Sequence, residues 1–237
     1  MEMLQAAGVE AWFSACLTLT LGRRYRVEPE QRDGKCYIVD PFWVVRSRET
    51  GRRSKVRIVL RGLLTLAGAP RKVRAVACKL LTRHPTFEEL LHAATFYREY
   101  GRMFGHRMLL DAEYLRHEFP SCGQSDEELL AQARELVGKY ARASLVVTSR
   151  IHCALPCLGL ETPVVLVENG RQEETSSCRF GGLRELFHVV TWNAGRLRKC
   201  FDHRGPLTAA NSLPNKPLWR LYAERLIARC EAFAAEE

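Results

Sequence analysis

The stretch from Leu145 to Val167, LVVTSRIHCALPCLGLETPVVLV, constrains the fold more than any other part of the chain. It consists of an apolar run, a short polar turn, an apolar helical segment and a second apolar run that begins at Pro163. Two β-branched runs that flank an apolar helix are typical of a parallel β-α-β unit that is buried on both faces. We therefore predict strands over residues 145–147 and 163–168, with a short helix between them.

The polar turn of this unit, Thr148-Ser149-Arg150, follows the carboxyl end of a predicted strand, where ligands bind in open α/β sheets. Ser149 is a suitable cap for the next helix, and Arg150 and His152 fall in its first turn. Free N–H groups and the helix dipole favour an anion at that place. Pro156 cannot donate a hydrogen bond to the carbonyl of His152, so we expect a kinked or interrupted helix with that carbonyl free.

Composition and length indicate a globular protein with one large domain or slightly more. The chain has 237 residues, of which 46% are hydrophobic and 27% are charged, and this balance excludes a disordered chain. It contains no apolar run of about 18 residues, and its N-terminus lacks the basic and apolar regions of a signal peptide. Nine cysteines without a regular spacing favour reduced thiols in a cytoplasmic protein over a disulfide framework.

The net charge of +9 is concentrated in one segment of the chain. Residues 46–83 carry twelve Lys or Arg and one acid, whereas the rest of the chain carries 24 basic and 26 acidic residues. Three interpretations of this segment are open: a solvated basic face, a docking site for an anionic polymer, or peripheral contact with an anionic membrane surface. No recognised binding module accompanies the charge, so we do not expect a nucleic-acid partner.

The apolar spacing predicts alternating strands and helices along the chain. Thr86-x-x-Glu89 and Ser125-x-x-Glu128 are capping boxes, and each one predicts the start of a helix. The other expected elements are strands at 9–13, 36–39, 108–115 and 188–192, helices at 56–67, 73–81, 182–187 and 218–235, and loops at 169–180 and 193–217.

This alternation predicts an α/β fold, with a Rossmann-like parallel sheet flanked by helices. We assign residues 34–214 to this Rossmann-like domain, and the basic helical segment at 46–83 lies within it. Residues 1–33 are interpreted as the remnant of a first domain followed by a linker. Residues 215–237 form the predicted C-terminal amphipathic helix.

Two histidines follow predicted strands of this sheet. His117 comes after the strand that ends at Leu115, and His152 comes after the strand that ends at Val147. If these strands are parallel neighbours, both imidazoles lie at the same edge and can face one crevice. Taken alone, each histidine is more often a surface or structural residue. Their place at equivalent strand ends, with one of them beside Arg150, makes a functional role about equally good as an explanation.

Several other side chains have more than one interpretation. Arg179, with Arg171 in the same predicted loop, could bind an anion or be solvated. Asp40, at the end of the strand over 36–39, is open in the same way. Cys153 and Cys157 are i, i+4 neighbours on a helix, but core thiols explain them better than a metal site.

The central motif resembles the signature of the polysaccharide pyruvyl transferase family. The similarity covers Thr148 to Pro156, TSRIHCALP, with ASLVV before it and TPVV shortly after it. The residues LRHE at 115–118 resemble the His-containing strand end of the family, and AWFSACLTLT at 11–20 resembles a segment of its bacterial members. The resemblance implies the C-terminal half of a GT-B-like two-domain fold. It also implies transfer of a pyruvyl group from phosphoenolpyruvate to a sugar acceptor as a ketal, without a metal or other cofactor.

The resemblance implies roles for individual residues. His152 would act as acid, base or substrate-orienting group, and His117 would contact the substrate or support the site. Ser149, Arg150 and Ile151 would bind the substrate, and we add Arg179 to this group.

Family members are longer, so the resemblance also implies a missing N-terminal domain and leaves turnover by this chain open. A non-catalytic derivative that binds an anionic sugar or polymer through 46–83 is an alternative. A GT-B nucleotide-sugar glycosyltransferase is another.

Overall fold

The computed structural model describes residues 6–8, 12–41, 52–81, 83–117, 124–169, 182–193 and 195–235, without the side chains of 52–55. Within these ranges the strands form one mixed sheet. They are β1 (Cys36–Val39), β2 (Glu113–Leu115), β3 (Leu145–Thr148), β4 (Val164–Asn169), β5 (His188–Asn193) and β6 (Arg196–Lys199).

The strand order is β2-β1-β3-β4-β5-β6, and the first five strands are parallel. Strand β6 pairs with β5 in the antiparallel direction. The chain moves outward from β1 to β2 and then returns to the other side of β1, so β1 and β3 lie at the point where the strand order reverses. In doubly wound sheets, a crevice forms at this point outside the carboxyl ends of the two strands.

Helices cover both faces of the sheet. The α-helices of the described ranges are α1 (Gly22–Tyr25), α2 (Arg52–Gly68), α3 (Pro70–Leu80), α4 (Phe87–Phe104), α5 (His106–Asp111), α6 (Asp126–Arg142), α7 (Ile151–Gly159) and α8 (Leu218–Ala235). No helix of the described residues has the length and apolar character needed to cross a membrane.

Alternation along the strands divides the core into two layers. In β1, Cys36 and Ile38 face the layer built by α3, α4 and α5, whereas Tyr37 and Val39 face the layer of α6, α7 and α8. All four of these side chains are buried. A strand that is buried on both faces reads as a continuous apolar run, which explains why the sequence CYIV identifies β1.

The segment before β1 packs on the second of these layers. The 3₁₀ helix Leu17–Thr20 contacts both α7 and α8. Its approach to α7 is close because two glycines face each other there: a Cβ on Gly159 would lie 2.4 Å from the carbonyl oxygen of Thr18, and a Cβ on Gly22 would lie 2.2 Å from that of Gly159.

Most elements expected from the sequence are present. Strands β1, β3, β4 and β5 coincide with the predicted ones to within a residue or two, and α8 has the predicted bounds. Both capping boxes form with reciprocal hydrogen bonds, at Thr86 and at Ser125. The α/β fold with a mostly parallel sheet is therefore confirmed.

The predicted strand over 108–115 is wrong in its first half. Helix α5 includes Met108 and Leu109, and both side chains are buried against the first layer. Lys79 donates hydrogen bonds to the carbonyls of Leu110 and Ala112 at the end of α5, and only the last three residues of the segment join the sheet. A short apolar run fits a buried helix as well as a strand.

The predicted loop over 193–217 contains strand β6, which the prediction missed. Its sequence, RLRK, alternates exposed and half-buried residues and is rich in positive charge, as expected for a short edge strand. Gly195 has a φ of 74° in the turn before it, where a side chain would be strained. The predicted helix at 182–187 is the single 3₁₀ turn Arg184–Leu186. In the strand predicted at 9–13, residues 9–11 fall outside the described ranges, and Trp12 and Phe13 are not in a strand.

Replacing Gly159 with Ala should destabilise the protein by about 2 kcal/mol, because the new methyl group would overlap the backbone of the 3₁₀ helix Leu17–Thr20. Chemical denaturation of the variant and the wild-type protein measures this difference. Gly68→Ala is the matched control, since a Cβ at Gly68 meets no atom within 4 Å at the end of α2. Equal stability of the two variants would show that the Gly159 contact is loose in solution.

Candidate functional site

Asp40 lies at the carboxyl end of β1, at the point where the strand order reverses. Its φ of 40° turns the chain immediately after the strand. Its N–H donates to the carbonyl of Leu115, so β1 and β2 are still joined at this position. The carboxylate is mostly buried, accepts a hydrogen bond from the backbone N–H of a residue that follows β2, and forms an ion pair with a side chain that follows β3.

Arg150 approaches Asp40 from the β3 side. Its Nε lies 2.6 Å from Oδ2 of Asp40, and about half of its side chain is exposed. The other two guanidinium nitrogens of Arg150 have no partner among the described residues, so they are available to a ligand. The Ser149 hydroxyl donates to the carbonyl of Asp40 at 2.5 Å and fixes the turn.

Helix α7 begins at Ile151, with Arg150 in the N-cap position. The expectation that Ser149 caps this helix is wrong, because its hydroxyl bonds to Asp40 instead. Among the described residues, no group accepts a hydrogen bond from the backbone N–H of Ile151 or of His152. These two N–H groups and the helix dipole favour an anion beside Arg150.

Pro156 lies inside α7 and does not interrupt it. The helix continues to Gly159, and the N–H of Leu160 donates to the carbonyl of Pro156. Nearly all side chains of α7 are buried, so tertiary packing outweighs the loss of one helical hydrogen bond. The expected interruption is therefore wrong.

His117 approaches Asp40 from the β2 side. Its backbone N–H donates to Oδ2 of Asp40 at 3.1 Å, and its ring Nδ1 lies 3.8 Å from the same oxygen. Its Nε2 lies 2.7 Å from the hydroxyl of Tyr140, which belongs to α6. Burial lowers the pKa of His117, the charge of Arg150 lowers it further, and Asp40 opposes both effects. Protonation of the ring is therefore disfavoured, and the Tyr140 hydroxyl holds its Nε2.

Tyr140 connects this edge to the buried interior of α7. Burial raises the pKa of Tyr140, so the hydroxyl keeps its proton. The same hydroxyl lies near the thiol of Cys153, which is buried beside Cys157. Burial alone would raise the pKa of Cys153, but the polar groups of Cys157, Tyr140 and Thr148 beside the thiol outweigh it and lower the pKa.

The structure brings together some of the predicted site residues. His117 and Arg150 meet at Asp40, but their strands are not neighbours, since β1 lies between β2 and β3. His152 lies in the first turn of α7 with an exposed side chain, and Ile151 beside it is buried. In the described ranges, His152 forms no ion pair or hydrogen bond with Asp40. Arg179 lies outside the described residues.

Sequence reasoning missed several members of the site. The sequence analysis left the role of Asp40 open, although an acid that directly follows a buried strand is a recognisable signal for a site residue. Glu168 is the last but one residue of β4, and its Oε2 accepts a hydrogen bond from Nε of Arg184 at 2.9 Å. Nothing in the sequence marks Tyr140 or Arg184, because only the fold brings them to this edge.

No group of three or more His, Cys, Asp or Glu side chains in the described ranges is arranged to hold a metal ion. A groove of about 380 Å³ lies at the far end of α7, between the N-terminal segment and α8. It is lined by Gly22, Arg23, Gly159 and Trp219, among others, and includes no member of the Asp40 network.

The fold and these contacts define a doubly wound α/β protein with a polar network where its strand order reverses. The chain matches no family model, and comparisons with curated proteins and with solved structures found no similar protein.

Asp40→Ala should lower the free energy of unfolding by about 2 kcal/mol, because it removes the acceptor of the His117 N–H and the partner of Arg150. Urea denaturation measures the loss. Asp111→Ala is the control, since Asp111 forms an exposed ion pair with Arg107 and such pairs contribute little. Similar stability of both variants would contradict a structural role for the Asp40 carboxylate.

His117 should make the protein less stable in acid. Its pKa lies below the ordinary value of 6.5, so the unfolded chain takes up a proton first as the pH falls through that value. The free energy of unfolding is then lower at about pH 5.5 than at about pH 8, and His117→Gln should reduce this difference. An unchanged difference in the variant would mean that the ring titrates equally in both states.

Proposed function

We propose that the chain binds phosphoenolpyruvate beside Arg150 and acts in pyruvyl transfer to a sugar, as the resemblance of its central motif implies. One observation carries the proposal. Arg150, whose terminal nitrogens have no partner among the described residues, stands beside the free N–H groups that begin α7, at the point where the strand order reverses. Doubly wound proteins bind their ligands at this place.

Phosphoenolpyruvate carries a carboxylate and a phosphate, and this part of the site can recognise one of them. The guanidinium fork of Arg150 can bind two oxygens of an anion, and the N–H groups of Ile151 and His152 can donate to the same group. The pair with Asp40 is formed through the Nε of Arg150 and orients the guanidinium. A held cation loses less conformational entropy when it binds an anion.

His152 is the proposed proton carrier of the reaction. Two sugar hydroxyls bond to C2 of the enolpyruvyl group, the phosphate leaves with its bridging oxygen, and the methylene carbon becomes a methyl group. One hydroxyl proton ends on that carbon and the other on the departing phosphate, so the atoms balance. An exposed imidazole can accept and return such protons.

His117 is assigned a positioning role in this proposal. Both of its ring nitrogens face protein groups, Asp40 on one side and Tyr140 on the other. It therefore supports the carboxylate that orients Arg150, whereas His152 meets the substrate.

Calorimetry with phosphoenolpyruvate tests the donor site. Wild-type protein should bind, and Arg150→Ala should weaken binding about tenfold or more, since charge-assisted hydrogen bonds are lost. Arg220→Ala is a matched control, because Arg220 is equally exposed (55% against 52%) and pairs with Glu161 at a distance from the Asp40 network. Failure of the folded wild-type protein to bind, or equal weakening by both variants, would contradict the proposal.

Phosphate release from phosphoenolpyruvate in the presence of sugar acceptors tests the reaction itself. His152→Ala should abolish release and leave calorimetric binding largely intact, whereas Arg150→Ala should reduce both. Release that His152→Ala does not change would contradict the role of His152. Binding of a uridine or guanosine diphosphate sugar in place of phosphoenolpyruvate would instead favour a nucleotide-sugar glycosyltransferase.

A further inference from the structure

Helix α2 carries an apolar stripe on the face that points away from the sheet. Ile58 and Gly62 lie on the opposite side of the helix and pack toward β6 and α4. The stripe includes Leu60 and Leu64, whose exposed fractions are 53% and 70%. Among the described residues, the exposed members of this stripe are Val56, Val59, Leu60, Leu63 and Leu64. Surface helices normally place polar residues on this face, so the stripe is unusual.

Positive charge lies along one side of this apolar stripe. Helices α2 and α3 together contain nine Lys or Arg residues and no Asp or Glu. Arg57 and Arg61 are one turn apart and follow one side of the stripe. Burial lowers the pKa of Arg61, the nearby charges of Arg196 and Arg98 lower it further, and Glu99 opposes them, so Arg196 at the start of β6 lies near Arg61.

We propose that the apolar stripe of α2 binds the surface of a bilayer that contains anionic phospholipids. The five aliphatic side chains enter the boundary between headgroups and acyl chains, and the flanking arginines contact lipid phosphates. Binding to an anionic bilayer needs both the aliphatic stripe and the flanking arginines, because insertion of aliphatic side chains and attraction to anionic lipids each contribute to the affinity.

The charge and composition of the stripe disfavour other occupants. A second copy of the chain would bring two strongly basic surfaces together, and they would repel each other. Single-stranded nucleic acids bind by stacking of bases on aromatic side chains, and the stripe consists of Val and Leu alone. The inference does not depend on the proposed donor site, since lipid binding requires no phosphoenolpyruvate.

Vesicle flotation with the full chain tests the proposal. Vesicles of phosphatidylcholine alone are compared with vesicles that also contain about 30% phosphatidylglycerol. The wild-type protein should float only with the anionic vesicles and should be released at about 0.5 M salt. The double variant Leu60→Glu, Leu64→Glu should bind about tenfold less, because two aliphatic contacts become negative charges.

Leu130→Glu is the matched control, because Leu130 on α6 is exposed to 56%, close to the value for Leu60, and lies outside the stripe. It should float like the wild-type protein. The proposal is overturned if the wild-type protein fails to float, floats equally with both vesicles, or loses binding equally in the control and the double variant. If vesicles are not bound, self-association that the double variant abolishes would assign the surface to a second copy. Retention of an oligonucleotide without vesicle binding would assign it to nucleic acid.

Discussion

The bonds of the Asp40 carboxylate hold together the edge of the sheet on which the candidate site is built. One oxygen accepts the backbone N–H of His117 and pairs with Arg150, so the segments after β2 and β3 are both tied to the end of β1. A mostly buried carboxylate needs such partners, because an unpaired charge is costly at this depth. The same contacts that satisfy Asp40 therefore orient the cation that we assign to the substrate.

Local patterns predicted those parts of the fold whose signal is contained in a few adjacent residues. A four-residue apolar run predicted β1, and the spacing of Thr86 and Glu89 predicted the start of α4. The segment 108–115 was mistaken for a strand because its choice between helix and sheet depends on contacts with distant residues such as Lys79. Periodicity alone contains no information about those contacts.

The sequence predicted the residues of the central motif but not their contacts with Asp40 and Tyr140. The turn before α7 identified Arg150 and His152, because the carboxyl end of a buried strand is a general ligand position. The strand order brings Asp40 to Ser149, 109 positions away along the chain. Tyr140 reaches His117, 23 positions away, only because α6 packs behind this edge of the sheet. The sequence predicted parallel strands but not which of them are neighbours, so β1 was not expected between the two histidine-bearing segments.

Strand β6 determines how the sheet ends. Its four residues run antiparallel to β5 and include Arg196, Arg198 and Lys199. A short, strongly charged outer strand is a poor template for another chain, since adding a strand would place like charges side by side and satisfy few backbone groups. The same four residues that continue the basic surface therefore also protect this border of the protein against edge-to-edge aggregation.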